Sequence, residues 1–253
     1  MAITILLRLS GPMQSYGQYS LWEHHDTAPR PTKSAVAGIV ANALGRELDT
    51  DMSDLAAMTF AVRADRPGQL AVDDQTVGGG TFPLTPIIAS RPKTADNPHW
   101  YGVPRRPERA VTGGLMASHT PSFRKPVLVT KQHIVDGAFL AGLTTHDHAL
   151  AQEAIRALRH PARLLSLGRR AYPPAHPIGY SSTELPAQHW PTAIPLLPEA
   201  STPHPRVWTE SPPGPGLYAS PEQVPYTFAE RDHRLMHLHL THVTPPAVTE
   251  DPS

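Results

Sequence analysis

The sequence contains no cysteine among its 253 residues. Disulfide bonds, thiolate metal sites, cysteine-based zinc fingers and a cysteine nucleophile are therefore excluded. It also lacks a long apolar segment. The N-terminal apolar run before Arg8 is too short for a secretory signal, and no window approaches the ~18 apolar residues of a membrane span. We therefore expect a soluble cytoplasmic protein with no membrane partner.

Net charge is absent too, since 22 basic and 22 acidic residues balance. The distribution is nevertheless uneven: residues 1–176 hold 19 basic and 14 acidic side chains, a net charge of +5. Between residues 91 and 131, eight basic side chains accompany two acidic ones. A local basic segment is typical of nucleic-acid contact. The zero net charge argues against tight binding of arbitrary RNA by the isolated chain.

The apolar pattern predicts alternating strands and helices. Residues 3–9 form a buried strand that ends at Gly11-Pro12, and residues 33–44 form a helix with its N-cap at Thr32 and Gly45 just beyond its end. The further predicted elements are strands at 60–64, 69–73, 127–130, 137–143 and 235–243 and a helix at 146–159. This order is an α+β pattern close to βαββαβ, the ferredoxin-like or RRM-like arrangement.

Two segments interrupt this pattern. Residues 77–125 are rich in Gly, Pro and Arg without sustained periodicity, and so long a segment inside a compact domain is typically functional or disordered. Seventeen of the 30 prolines lie in residues 173–252, which excludes long helices there. We therefore predict a domain over 1–176 with 77–125 inserted, a small β-rich region over 177–243, and a disordered tail over 244–253.

The segment LSLGRRAYPP, residues 165–174, combines groups that suit RNA contact. Gly168 permits close backbone approach, Arg169 and Arg170 can reach phosphates, and Tyr172 offers a stacking face. The same residues also fit a turn with two solvated arginines. Composition leaves both interpretations open.

Fifteen histidines raise metal and acid–base alternatives. His237 and His239 could chelate a metal from one strand face, but an alternating, solvent-facing strand explains them equally well. Metal-independent RNA cleavage needs a general base, a cation and a proton donor. Candidates for these roles are Tyr16, His24, His25, Lys131 and His133. Chance supplies such a set among so many histidines, so we predict no metal, no cofactor and no catalytic residue.

Six segments together carry a family resemblance. They are LLRLSGPMQSYG, RPTKSAVAGIVANALGR, AVRADRPG, QTVGGG, VTKQHIVDGAFLAGL and LSLGRRAYPP, in that order. Over residues 3–176 they resemble the CasD family of type I-E CRISPR Cascade, within the RAMP superfamily. The resemblance implies a ferredoxin-like (RRM-like) palm, an extended β-hairpin thumb and a small Pro-rich C-terminal β element.

The same resemblance implies a function. Such a subunit is non-catalytic, caps the 5′ handle of the guide RNA (crRNA), and contacts the backbone subunit CasC and the large subunit CasA. Target DNA near that end of the complex is a further expected partner. Relatives in type I-C systems cut RNA, so a metal-independent endoribonuclease that processes CRISPR repeat RNA is the alternative. A module whose basic loop contacts only protein is a third interpretation.

Matching the family's motifs residue by residue gives candidate RNA contacts. The motif matches are Gln14, Tyr16, Arg30, Thr32, Lys33, Ser34, Arg169 and Arg170. Tyr172 joins them as a stacking candidate, and charge and position add Arg105, Arg106 and Arg109. Lys131 is kept as a candidate although its segment departs from the R-x-Y pattern of many relatives.

The two cations at the predicted helix start are unusual. Arg30 and Lys33 stand where the helix dipole is already positive, which is unfavourable unless an anion binds there. An RNA phosphate would supply that anion. We therefore expect Lys33→Glu to weaken handle binding and flatten its salt dependence, while thermal stability stays level or rises.

Overall fold

The computed structural model describes residues 1–18, 21–77, 108–109, 115–116, 127–212, 214, 218–220 and 236–246. Over these residues the protein is an α+β structure with a mostly antiparallel sheet and few helices. The chain divides into two compact units. The first unit comprises Met1–Ser20, Asp26–Val72 and Gln132–Ser253, and the second comprises Leu21–His25 and Asp73–Lys131.

The described residues form eleven strands and four helices. The strands are β1 (Ile3–Gln14), β2 (His24–His25), β3 (Thr59–Arg66), β4 (Gln69–Val77), β5 (Glu108–Arg109), β6 (Leu115–Met116), β7 (Val127–Thr145), β8 (Gly179–Thr183), β9 (Arg206–Glu210), β10 (Tyr218–Ser220) and β11 (Met236–His242). The helices are α1 (Lys33–Ala43), α2 (Ser53–Ala57), α3 (His148–Arg159) and α4 (Trp190–Ala193).

The sequence pattern predicts both long helices and their ends closely. Thr32 is the N-cap of α1, and its Oγ1 accepts a backbone hydrogen bond at 3.3 Å. Gly45 follows this helix with a φ of +74°, the left-handed conformation expected just past a helix end. α3 begins two residues later than predicted because Asp147 caps it, accepting a backbone hydrogen bond at 3.0 Å.

Two strands are longer than predicted. β1 continues past Gly11-Pro12, because Gly11 pairs with Gly137 and Met13 with Val135 of β7. This pairing passes over Pro12, which has no N–H to donate. β7 runs without a break from Val127 to Thr145, where the sequence predicts two separate strands.

Antiparallel pairing orders the sheet of the first unit as β10-β11-β9-β3-β7-β1-β8. When the short elements are left out, the elements follow one another along the chain as β1, α1, β3, β7, α3, β8. In the sheet, their strands lie in the order β8-β1-β7-β3. Strands β9 to β11 extend the sheet beyond β3, where the sequence predicts one clear strand. In the second unit, β2 pairs in parallel with β7, and β5 pairs with β6.

Both faces of β1 are buried. Ile5, Leu7 and Leu9 join an apolar cluster with α1 and α3. Leu6 points to the opposite face and packs in a second cluster that includes Trp190. A strand covered on both faces needs apolar side chains at successive positions, which explains the uninterrupted apolar run of residues 5–7. The face opposite the long helices is thus covered by residues 187–197.

A buried ion pair ties this cover to the sheet. Arg63 and Asp65 of β3 are both fully buried, with Arg63 Nε 2.6 Å from Asp65 Oδ1 and Nη2 2.9 Å from Oδ2. The other N–H groups of Arg63 donate to the carbonyl oxygens of Pro191, Ile194 and Pro195 at 2.8, 2.6 and 2.7 Å. Asp65 also accepts a hydrogen bond from Leu197 N at 2.8 Å. All five guanidinium donors are therefore used, as burial requires.

The predicted domain boundaries remain predictions. Of the predicted insertion 77–125, only residues 77, 108–109 and 115–116 lie within the described residues. The predicted tail 244–253 lies outside them from residue 247 onward, while Leu196 N donates to Pro246 O at 3.2 Å.

Candidate nucleic-acid interface

The end of β1 is a buried hydrogen-bonded frame. Gln14 Nε2 donates to Gly137 O at 2.7 Å, and the Tyr16 hydroxyl donates to Gln14 Oε1 at 2.7 Å. Burial raises the pKa of the Tyr16 phenol far above its ordinary value, so the hydroxyl remains protonated and a donor. Gln14 and Tyr16 are both buried. These two side chains are therefore placed to hold the backbone at the end of β1 in position, and less to contact a ligand.

A tight turn over residues 167–172 lies against this frame. Ser15 N donates to Leu167 O at 3.0 Å, and Leu167 N donates to Tyr172 O at 2.8 Å. Gly168 has a φ of +92°, and a Cβ there would lie 1.7 Å from Ser15 O. Only glycine allows this backbone approach. The sequence suggests that Gly168 allows a close backbone approach. In the structure, the backbone that it approaches is the protein's own, at Ser15 just after β1.

The turn presents two arginines at the surface. Arg169 is half-buried, and its Nη1 donates to the Tyr172 hydroxyl at 3.0 Å while its guanidinium carbon lies 5.7 Å from the ring centroid. Arg170 is exposed, and among the described residues it has no hydrogen-bond or ion-pair partner. Tyr172 is buried, with its ring centroid 5.9 Å from that of His133. Arg169 and Arg170 are thus the accessible groups of this turn.

The start of α1 has an internal anion. Lys33 is buried, and its Nζ lies 2.8 and 3.1 Å from the two carboxylate oxygens of Glu210 on β9. Glu210 also accepts a hydrogen bond from Phe60 N at 2.9 Å. Thr32 serves as the N-cap, and its Oγ1 lies 3.2 Å from Ser34 Oγ. From the sequence we expect an RNA phosphate as the anion at this helix start. In the structure, the carboxylate of Glu210 in the same chain occupies that role.

Arg30 is held in a similar way. It is buried, with its guanidinium carbon 5.5 Å from the ring centroid of Trp208. Arg206 lies over the same ring at 5.4 Å. Arg206, Trp208 and Glu210 are alternate residues of β9 and so share one face of the strand. We name this face the β9 ladder; it binds both cations that precede or begin α1.

Because Lys33 pairs with Glu210, Lys33→Glu is now expected to lower the stability of the protein, where the sequence predicts no change or a rise. The substitution would place a second carboxylate against Glu210 in a buried position, so we expect the free energy of unfolding to fall by about 2–3 kcal/mol. Urea denaturation followed by circular dichroism measures it. Ser34→Glu is the control, because it adds an acid to the same helix turn, where the dipole favours it, and should leave stability level or slightly higher. Equal stability of Lys33→Glu and wild type would contradict the role of Glu210.

The remaining candidates belong to the second unit. Lys131 is half-buried, and its Nζ donates to Gln75 Oε1. Arg105 and Arg106 lie outside the described residues, and of Arg109 only the backbone, in β5, is described. The prediction that Arg105, Arg106 and Arg109 contact RNA therefore still rests on their charge and position in the sequence.

No group of three or more metal-ligating side chains occurs among the residues that the structure describes. Within the same ranges, no helix is long and apolar enough to cross a bilayer.

Comparison with known proteins identifies the family. The family model described as CRISPR-associated protein (Cas_Cas5) matches residues 4–204. The chain belongs to this Cas5 family. It is 28% identical over 181 residues to the CRISPR system Cascade subunit CasD of Escherichia coli (strain K12), which covers 69% of this chain and 68% of that protein. The membership inferred from six sequence segments is confirmed.

Two solved structures have folds similar to that of this chain. One, described as a crystal structure of a Cas protein, has a TM-score of 0.63 and 28% identity over 96% of this chain and 95% of that one. The other, from a CRISPR RNA-guided surveillance complex, has a TM-score of 0.66 and 23% identity over 98% and 95%. The α+β prediction therefore agrees with these two structures at the level of the fold.

Sequence reasoning missed the residues that organise this Cas5 chain internally. The β9 ladder lies in the Pro-rich region, for which no interaction with the helix start was predicted. Arg63 and Asp65 carried a usable signal, because two opposite charges at alternate positions of an apolar strand must lie on one face, where they can pair.

Proposed function

We propose that this protein is a non-catalytic subunit of a type I-E CRISPR Cascade surveillance complex, in which it binds the 5′ handle of the crRNA and contacts the neighbouring subunits CasC and CasA. The observation that carries this proposal is the Gly168 turn, where Arg169 and Arg170 reach the surface from a backbone locked against β1. Membership of the Cas5 family and the likeness to CasD support it.

The finer architecture is part of the proposal. The strand order β8-β1-β7-β3 with α1 and α3 on one face is the order of a ferredoxin-like palm, which supports that assignment. Its fourth strand, β8, lies just beyond the predicted boundary at residue 176. The inserted residues 77–125 would then be the thumb. In such a palm, RNA bound on the sheet would lie opposite the helices. Because Trp190 and its neighbours cover that face, we assign the handle to the Gly168 turn.

Phosphate contact at this turn fits the way a guide RNA is held. Base pairing carries the sequence specificity of a guide-bearing complex, so its protein subunits need mainly backbone contacts. Arg170 is exposed and Arg169 is oriented by the Tyr172 hydroxyl, and both can donate to phosphate oxygens. Gln14 and Tyr16 then act by supporting the turn. Target DNA near this end, a cytoplasmic location and the contacts of Arg105, Arg106, Arg109 and Lys131 stay predictions.

Arg170→Ala tests the phosphate contact. We expect the affinity of the reconstituted complex for 5′-handle RNA to fall about tenfold and the slope of log K against log salt to decrease by about one. Arg159→Ala is the matched control, because Arg159 is also exposed but lies at the end of α3. Filter binding over a series of salt concentrations measures both quantities. Unchanged affinity and slope for Arg170→Ala would contradict the assignment.

The ribonuclease alternative is not favoured by the comparisons. Tyr16, one of its candidate proton donors, is buried and already donates to Gln14. Incubating the protein in EDTA with end-labelled repeat RNA, alone and with the other Cascade subunits, separates the two functions. Retention of intact RNA supports the binding role. Cleavage by the protein alone, lost on substitution of Lys131 or His133, would replace it with an enzymatic one.

A further inference from the structure

Three polar side chains of the first unit converge on one carboxylate. Glu199 Oε1 accepts hydrogen bonds from Arg8 Nη2 and, at 3.0 Å, from Ser10 Oγ, and His176 Nε2 lies 3.2 Å from it. Burial acts to raise the pKa of Glu199, but hydrogen bonds that include those from Arg8 and Ser10 outweigh it and hold this pKa below its ordinary value. The group they surround is therefore an anion. We call Arg8, Ser10 and His176 the Arg8 site.

Arg8 lies on the sheet face opposite α1 and α3. Arg8 of β1 and Arg63 of β3 both stand opposite Leu140 of β7, so their side chains share one face of the sheet. Leu140 packs there in the apolar cluster that includes Trp190. This is the face on which an RRM-like sheet binds RNA. Glu199 follows the covering residues 187–197 by two positions, so the Arg8 site lies at the border of that cover.

The two arginines on this face differ in how completely they are paired. Arg63 uses all its guanidinium donors, and both oxygens of Asp65 accept hydrogen bonds. In contrast, Arg8 Nε and Glu199 Oε2 are buried atoms without a hydrogen-bond partner in the part of the chain that the structure describes. Such unpaired groups are unfavourable. A phosphate can accept two parallel hydrogen bonds from one guanidinium group, so Arg8 fits a phosphate better than it fits Glu199.

Solvent reaches the Arg8 site but not the Arg63 pair. The side chains of Arg8 and Glu199 are each 16% exposed, and that of His176 is 45% exposed. Arg63 and Asp65 are both 0% exposed. Glu199 lies in a turn, outside the helices and strands, so its side chain can swing out without breaking the sheet. An anion from solution can therefore take its place.

The Arg8 site is continuous with the Gly168 turn. The chain that leaves this turn runs back along β1: Ser15 N donates to Leu167 O at 3.0 Å, and Ala175 N donates to Ser10 O at 2.9 Å. About 17 Å of extended chain separates Ser10 from Ser15. The turn and the site thus lie at the two ends of one backbone-paired segment, and a short stretch of extended RNA can reach both.

We infer that the Arg8 site binds a second phosphate of the crRNA handle, and that Glu199 fills the site in the free chain and leaves it when the RNA binds. The inference rests on the proposed function, since the handle supplies the phosphate. Arg8 donates to two phosphate oxygens, and Ser10 and His176 donate to the same group. Glu199 competes with the RNA, so it lowers the apparent affinity by keeping part of the population unable to bind.

Glu199→Gln in the reconstituted complex tests the competition. The amide keeps the shape of the side chain but not its charge, so we expect the affinity for 5′-handle RNA to rise about fivefold. The slope of log K against log salt should increase by about one, because Arg8 then exchanges a counterion for the phosphate. Glu184→Gln is the matched control: Glu184 is exposed in the same unit, and its substitution changes the net charge equally. It should bind RNA like wild type.

The double variant Arg8→Gln/Glu199→Gln tests whether Arg8 receives the phosphate. It removes both partners of the ion pair, so no charge is left unpaired, and we expect it to lose the gain in affinity and in salt slope. Thermal denaturation checks that all variants fold. A double variant that keeps the gain, or a Glu199→Gln chain that binds RNA no better than Glu184→Gln, would overturn the inference.

Inorganic phosphate probes the site without the complex. Titrated into the isolated Glu199→Gln chain at constant pH, it should shift the imidazole NMR signals of His176 saturably, and sodium chloride of equal ionic strength should not. The double variant should show no such shift. Absence of a saturable shift in Glu199→Gln would also overturn the inference. A wild-type complex that does not retain handle RNA would instead reject the proposed function, and with it the assignment of the phosphate to RNA.

Discussion

Arg63→Leu is expected to lower the free energy of unfolding by about 3–5 kcal/mol. The substitution leaves the Asp65 carboxylate buried without the guanidinium and removes three hydrogen-bond donors from the carbonyl groups of residues 191–195. A buried charge that loses its partner is far more costly than an exposed one. Chemical denaturation of the purified chain, with the midpoint and slope fitted separately, measures the loss.

Arg66→Leu is the control for this result. Arg66 lies on the same strand and pairs with Asp136 at 2.8 Å, but the two side chains are 30% and 68% exposed. A pair in contact with water contributes roughly 0–1 kcal/mol. A loss for Arg63→Leu no larger than that for Arg66→Leu would mean that the buried pair does not hold the cover over the sheet.

Gly168→Ala is expected to destabilise the protein by more than the ~1–2 kcal/mol of a left-handed alanine and to weaken handle binding at least tenfold. The added Cβ would meet Ser15 O, a backbone atom that cannot rotate away. The turn must then leave β1, and Arg169 and Arg170 move with it. Thermal denaturation and RNA binding by the reconstituted complex measure the two effects.

Gly45→Ala separates the clash from the conformation. Gly45 also has a positive φ, +74°, but its nearest neighbour is the Ala162 Cβ at 3.0 Å, which is a side-chain atom. We expect a loss of about 1–2 kcal/mol there and unchanged RNA affinity. Equal effects of the two substitutions on RNA binding would mean that the position of the Gly168 turn is not important for the handle.

The local elements could be predicted because their signals are local. The apolar stripe of α1 and its two end residues, Thr32 and Gly45, lie within one short segment. The strands β3 and β11 were likewise found within two residues of their predicted ends. Errors arose where a partner strand decided the outcome: β1 passes Pro12 because β7 continues to pair with it on either side.

The candidate interface was harder to predict, because the roles of its residues depend on partners that lie far away in the sequence. Lys33 and Glu210 are 177 positions apart, so the sequence showed the cations at the helix start but not the anion that faces them. The family motifs point to Gln14 and Tyr16 but do not indicate that both side chains are buried.

The β9 ladder has a consequence for how related sequences diverge. The Cas5 family match ends at residue 204, yet Trp208 and Glu210 lie beyond it and contact Arg30 and Lys33 within it. A relative that replaces the acid at position 210 should also replace the lysine at position 33, since either change alone leaves a mismatched charge. The C-terminal region and the start of α1 are therefore expected to change in step, as two halves of one compensatory pair.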